Sequence, residues 1–159
     1  MRFVIVAVGH RQPAWVDTAV NDYIGRLPRD AAVNLIELRP EPRPDNAGAQ
    51  AVARLLEREA ARITTAIPRG AALVALDETG PALTTRAFAS QLEKWRTDAR
   101  DVAFVIGSAD GLDAGLKQGA ERLLSLSNMT LPHGLARALL AEQLYRAHSL
   151  STGHPYHRD

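Results

Sequence analysis

The sequence predicts an α/β domain built on a largely parallel sheet. Two observations predict it: short β-rich apolar runs alternate with longer segments of helical period, and 159 residues suit one domain with a single sizeable core. We therefore expect one domain over residues 1–159.

The strands are expected at Phe3–Val8, Val33–Leu38, Ala72–Leu76, Val102–Ile106 and a short 123–126. Between the first two, Val16, Val20, Tyr23, Ile24 and Leu27 recur at helical spacing until Pro28 ends the run. Residues 39–46 carry three prolines in eight positions, which forbids helix and central strand and predicts an exposed loop. The next helix, about 47–66, places Leu56, Ile63 and Ile67 on one side and Arg54, Arg58 and Arg62 in a row on another. Such a row is usually a solvated face.

After the third strand, Thr84 or Thr85 is suited to cap a helix whose Phe88, Leu92 and Trp95 form a core stripe. The last helix, about 135–150, carries two arcs. One holds Leu139, Leu140, Leu144, Ala147 and Leu150; the other holds Arg137, Ala141, Tyr145 and His148.

Composition narrows the function. The formal net charge is only +1, yet the basic side is nearly all arginine, since Lys94 and Lys117 are the only lysines among nineteen basic residues. The planar guanidinium suits phosphate, so a nucleic-acid partner is permitted but not demanded. Zero cysteine excludes disulfides, thiol catalysis and cysteine metal sites. The apolar run at the start is too short for a secretory core, and nothing elsewhere approaches a membrane span, so the expected location is cytoplasmic.

Ligands of open parallel sheets bind beyond the carboxyl ends of the strands. Three segments follow strands there: 76–80, 107–111 and 126–133. Gly107 and Gly111 allow a sharp turn and close approach to a ligand, although a strand-ending glycine pair is often a plain turn. Asp77 and Glu78 read as a solvated turn. Ser127 to Leu131 offers small polar and apolar residues that suit a flat ring in an apolar slot, or an irregular connection. Four of the five histidines, His133, His148, His154 and His157, fall in the final stretch, and the end His154-Pro155-Tyr156-His157-Arg158 reads either as an idle tail or as a stiff, basic, aromatic hook for a base and its phosphate. A metal reading is weaker: His154 and His157 stand at His-x-x-His spacing, but it spans Pro155 outside any helix and no Glu or Asp falls at ligand spacing.

Taken together, Val6-Ala7-Val8-Gly9, Leu76-Asp77, Ile106 through Leu112, Leu126-Ser127, Met129 through His133, Leu144-Tyr145-Arg146-Ala147 and the closing His154 to Arg158 resemble, end to end, the ribosomal RNA large-subunit pseudouridine N3-methyltransferases of the RlmH type, minimal members of the SPOUT superfamily. The resemblance implies a knotted α/β fold: a mostly parallel five-stranded sheet with helices on both faces and a C-terminal trefoil knot, an exception to unknotted connections. It implies S-adenosyl-L-methionine as cofactor, held by Leu76, Gly107, Leu126, Ser127, Asn128, Met129, Thr130 and Leu131, with no metal. It also implies 23S ribosomal RNA in the assembled ribosome as substrate, and a homodimer. We place the catalytic role on Tyr156, His157 and Arg158, with His157 as proton acceptor, and substrate binding on His133, Arg137, Arg146 and His154. The second arc of the last helix, opposed by Trp15 and Tyr23 of the first, is the expected dimer surface. Two positions depart from the family: Ser108 stands where relatives commonly have a second glycine, and 39–50 is lysine-poor. The rival readings are a non-catalytic nucleotide-binding module and a ribosome-associated binding protein that has lost activity.

Overall fold

The computed structural model describes residues 1–157, the side chain of His157 excepted. Five parallel strands, β1 (Phe3–Val8), β2 (Val33–Leu38), β3 (Ala72–Leu76), β4 (Val102–Ile106) and β5 (Arg122–Leu124), stand in the order β2-β1-β4-β3-β5. Phe3 is in register with both Val33 and Val102, and Ala72 with Val102. Every residue of β1 and β4 is buried, as central strands covered on both faces must be.

Alternation along the strands sorts the core into two layers. Phe3, Ile5, Val74, Phe104 and Ile106 point to the face covered by α3 (Thr85–Thr97) and α5 (His133–Ser151), where they meet Phe88, Leu92, Trp95, Leu140, Leu144 and Ala147. Val4, Val6, Ala75 and Val105 point to the other face, against Ile63 of α2 (Ala49–Ala66) and Leu116 of α4 (Ala114–Gly119). Helix α1 (Ala14–Gly25) lies beside α5, with Val16 and Val20 packed on Ala141. Helices thus cover both faces of a wholly parallel five-stranded sheet, as expected.

Four of the five strands have the expected bounds; β5 ends at Leu124, two residues short. Leu124 pairs with Leu76, where β3 itself ends and turns, so the remaining residues have no extended partner. Ser125 keeps one isolated bridge to Ala82, and Leu126 swings towards the strand ends. Thr84 caps α3, its side chain accepting from Ala87 N. Helix α4 was not expected: Asp113 caps it, but six residues are too few for a legible period.

The second arc of α5 is the larger correction. Arg137 and Ala141 are fully buried within the chain, where the arc packs against α1, and Tyr145 packs against Tyr23. A helix laid between α1 and α3 must bury two stripes, so the arc does not form an open face. Of the surfaces assigned to an interface, Trp15 alone is well exposed, at 55%.

Candidate active site

Beyond the carboxyl ends of β3, β4 and β5 lies a cavity of about 450 Å³, in the usual range for a small-molecule site. Parallel strands all end on one edge, so three loops of unrelated sequence converge there. The wall consists of Leu76 to Thr79, Ile106 to Leu112 and Leu124 to Leu131 without Asn128, with His133 and Ala136 of α5 and Lys117 of α4.

The loop after β4 is tightly bent. A Cβ at Gly107 would lie 2.3 Å from the carbonyl oxygen of Gly111, so no side chain fits. Gly111 sits at φ 85°, and its N–H closes the turn on the Ser108 carbonyl at 2.8 Å. In the third loop the Met129 N–H donates to Ser127 Oγ at 2.9 Å, and Ser125 Oγ donates to the Ser127 carbonyl at 2.7 Å. Met129 itself stands exposed at the rim.

Asp77, expected in a solvated turn, is instead part of the wall. Its carboxylate accepts from the Thr79 N–H and hydroxyl and from Lys117 Nζ, the last at 3.0 Å. Burial raises its pKa, but the Thr79 hydrogen bonds and the Lys117 ammonium outweigh that and hold it below the ordinary carboxylate value. Glu78 accepts from the Thr130 hydroxyl at 3.0 Å, which joins the first and third loops. Of the three wall carboxylates, Asp77 is paired with Lys117 and Asp110 with Arg43, while among the described residues Glu78 accepts only from the neutral Thr130 hydroxyl. Burial and then the Arg137 charge push the His133 pKa below its ordinary value, so His133 adds no full positive charge at neutral pH. The Glu78 charge on the wall suits a cationic ligand.

The chain was compared with known proteins. The family model described as "Predicted SPOUT methyltransferase" matches residues 1–157. Proteins named ribosomal RNA large subunit methyltransferase H are 54% identical in Bordetella pertussis and 49% identical in Ralstonia pickettii, each over 99% of both chains. The chain belongs to this SPOUT methyltransferase family. Its fold also recurs in a probable methyltransferase from Bordetella pertussis Tohama I, with TM-score 0.53 and 22% identity, covering 92% of this chain and 94% of that one. A probable methylase family protein from Haemophilus influenzae superposes with TM-score 0.56 at 12% identity over 99% of this chain and 70% of that one.

In this family member seven of the eight expected cofactor residues share the cavity wall, the exception being Asn128. Among the expected substrate residues only His133 joins them. Arg137 is 1% exposed and lies by the ends of β1 and β2 instead, its Nη1 paired with Glu37 Oε1 at 2.5 Å. Its Nε and Nη2 have no hydrogen-bond partner among the described residues. Arg146, His154 and Tyr156 gather elsewhere, around the far half of α5. Tyr156 hydroxyl donates to Glu142 at 3.2 Å, Arg146 Nε donates to the same carboxylate at 2.7 Å, and the Tyr145 and Tyr156 rings lie 4.6 Å apart. Burial, then hydrogen bonding with Tyr23 and the Glu142 charge, raises the Tyr156 pKa, so its phenol keeps its proton at neutral pH. The His157 side chain and Arg158 lie outside the described residues. No group of three His, Cys, Asp or Glu able to hold a metal occurs among the described residues, and no helix is long and apolar enough to cross a membrane.

Lys117 is a wall residue that sequence reasoning did not assign to the site, whereas Asp110 lay within the loop 107–111 that it did. The only signal was the rarity of lysine. Their roles depend on loops brought together across the sheet edge.

Proposed function

We propose that this protein is a cytoplasmic, homodimeric S-adenosyl-L-methionine-dependent methyltransferase that methylates N3 of a pseudouridine in 23S ribosomal RNA within the assembled ribosome. Its identity to the ribosomal RNA large subunit methyltransferases H supports the substrate class. The observation that carries the cofactor is the cavity: apolar walls from Leu76, Ile106, Leu126 and Leu131 suit a purine, and the Glu78 carboxylate suits a cationic sulfonium. When bound, the cofactor supplies a methyl group already activated by its positive sulfur. By family resemblance the C-terminal segment forms a trefoil knot, and residues 1–159 act as one domain.

The remaining task for the protein is to place the acceptor base and remove its N3 proton. Tyr156 remains a phenol and arginine keeps its proton, which leaves histidine as the acceptor at neutral pH. We assign this role to His157, with Arg158, Arg146 and His154 holding the base or its phosphate, and His133 contributing from the cavity side.

The position of the tail supports a dimer. The cavity touches α5 at His133 and Ala136, whereas the tail folds back against Tyr145, roughly 14 Å further along the helix at 1.5 Å per residue. None of Tyr145, Arg146, His154 and Tyr156 reaches the cavity of its own chain. A second copy brings a tail to the cavity.

The test is transfer of labelled methyl from S-adenosylmethionine to ribosomes isolated from cells lacking this activity, read by mass spectrometry of the RNA. With a net charge of only +1, naked transcript is expected to be the poorer substrate. His157→Ala is expected to keep donor binding and lose rate on the order of a hundredfold. Mixed dimers of His157→Ala with a donor-binding-deficient variant are expected to recover part of the activity. A mixture as dead as its parents would refute the shared site.

A further inference from the structure

Behind the loop that follows β4 lies a closed polar ring made from three distant parts of the chain. Glu59, on α2, is 3% exposed and Ser108 is 4% exposed. Ser108 Oγ donates to Glu59 Oε2 at 2.8 Å and accepts from Arg43 Nη2 at 2.9 Å. Arg43 Nη1 donates to Glu59 Oε1 at 3.0 Å and closes the ring. The same guanidinium reaches Asp110 through Nε at 2.7 Å and the Glu41 carbonyl through Nη1 at 2.8 Å. Glu59 Oε1 also accepts the Glu41 N–H at 2.7 Å. The planar fork of arginine serves all these acceptors at once, which a lysine cannot do.

Position gives the ring its meaning. Ser108 and Asp110 stand on the cavity wall, whereas Arg43 and Glu59 do not. The proline-rich segment is held in turn at Glu41. Arg62 Nη2 lies 3.0 Å from Glu41 Oε1 as an ion pair without hydrogen-bond geometry, and Arg58 approaches the same carboxylate at 3.8 Å. The expected exposed loop and two members of the expected solvated arginine row are thus parts of one device. A loop of small residues around Gly107 and Gly111 loses much conformational freedom on ordering, and a ring that orders it before the ligand arrives removes that cost from binding.

We propose that Arg43 and Glu59 are positioning residues for the methyl donor: acting through Ser108 and Asp110, they set the wall of the donor cavity and make the proline-rich segment a working part of the methyl-transfer site. This rests on the reading of the cavity as the S-adenosylmethionine site. It assigns to segment 39–46 a role in cofactor affinity, separate from any contact with RNA.

The test is calorimetric titration of the full chain with S-adenosylmethionine, alongside thermal melting and amide hydrogen exchange of residues 107–111. Arg43→Lys keeps the charge and loses the fork; Ser108→Ala removes one hydroxyl. Each is expected to weaken donor binding about tenfold and to speed exchange in the loop, and the double variant is expected to weaken it little further, because both break one ring. Should Arg43→Lys fold poorly, Glu59→Gln, which keeps the shape and removes the charge, is expected to give the same loss. Lower melting temperature with unchanged donor affinity would make the ring merely structural and overturn the proposal. Multiplying losses of about a hundredfold in the double variant would mean that Ser108 meets the donor directly, and would also overturn it. Failure of the unaltered protein to bind S-adenosylmethionine would instead sink the reading of the cavity.

Discussion

At its first turns α5 meets a wall built by its own chain; in its last turns it carries an aromatic and basic cluster that does not reach that wall. The wall at the first end is preorganised by short hydrogen bonds within and between loops, with Gly107 closed on Gly111 and Asp77 held by Thr79 and Lys117. At the other end Tyr145, Tyr156, Arg146 and Glu142 satisfy one another. The difference teaches that, on the proposed reading, donor binding and base placement belong to separate ends of one helix. The first end walls a cavity, and the other is a half-buried cluster packed on α1.

The largest expected effect separates the two ends directly. Gly107→Ala puts a Cβ 2.3 Å from a backbone oxygen, so the loop must open. Overpacking of this kind costs about 1–3 kcal/mol, and S-adenosylmethionine affinity should fall by up to about a hundredfold. Tyr156→Phe, at the other end, should leave that affinity unchanged in the same titration. Equal losses from both would erase the distinction between the ends.

A second prediction concerns how the first end is supported. Arg137 is buried with a single charged partner, whereas Glu37 is half exposed and has access to water. Removing the partner of a buried charge is worse than removing the charge. Glu37→Ala should cost about 2 kcal/mol in urea denaturation and Arg137→Met less than about 1 kcal/mol. The reverse order would show that Arg137 serves a further partner.

The smallest effect is a pH slope. His133 has its folded pKa below the ordinary 6.5, so below that value the unfolded chain binds the proton more tightly than the folded one. Its contribution is fully present above pH 6.5 and is lost as pH falls towards the depressed value. His133→Gln should flatten this part of the stability profile, measured by denaturation between neutral and mildly acidic pH. An unchanged slope would mean that His133 is not held neutral by its surroundings.

Much of this architecture was legible. The runs Phe3–Val8 and Val102–Ile106 declare buried strands because residues covered on both faces are apolar at every position. Seven of the eight expected cofactor residues meet on one cavity wall because strand ends converge on one edge. Asn128 is not on the wall, although its neighbours Ser127 and Met129 are. The second arc of α5 was misread as an outer surface because amphipathic spacing marks which residues share a face, without marking what covers it. The Arg43 ring was invisible because its partners lie 16 and 65 positions away.

The sequence by itself determined the order of the five strands and of every helix but α4, and nearly all the strand bounds, since period, proline and capping residues act over a few positions. It also determined, through motifs spread along the chain, the family to which they belong. Only the tertiary structure decided that β4 lies between β1 and β3, that Arg137 is buried against Glu37 of β2, and that a proline loop is tied to the cavity wall through Ser108. These are pairings between distant residues. The strength of a hydrogen bond or ion pair depends on distance and burial, and neither exists until the sheet has brought the loops together.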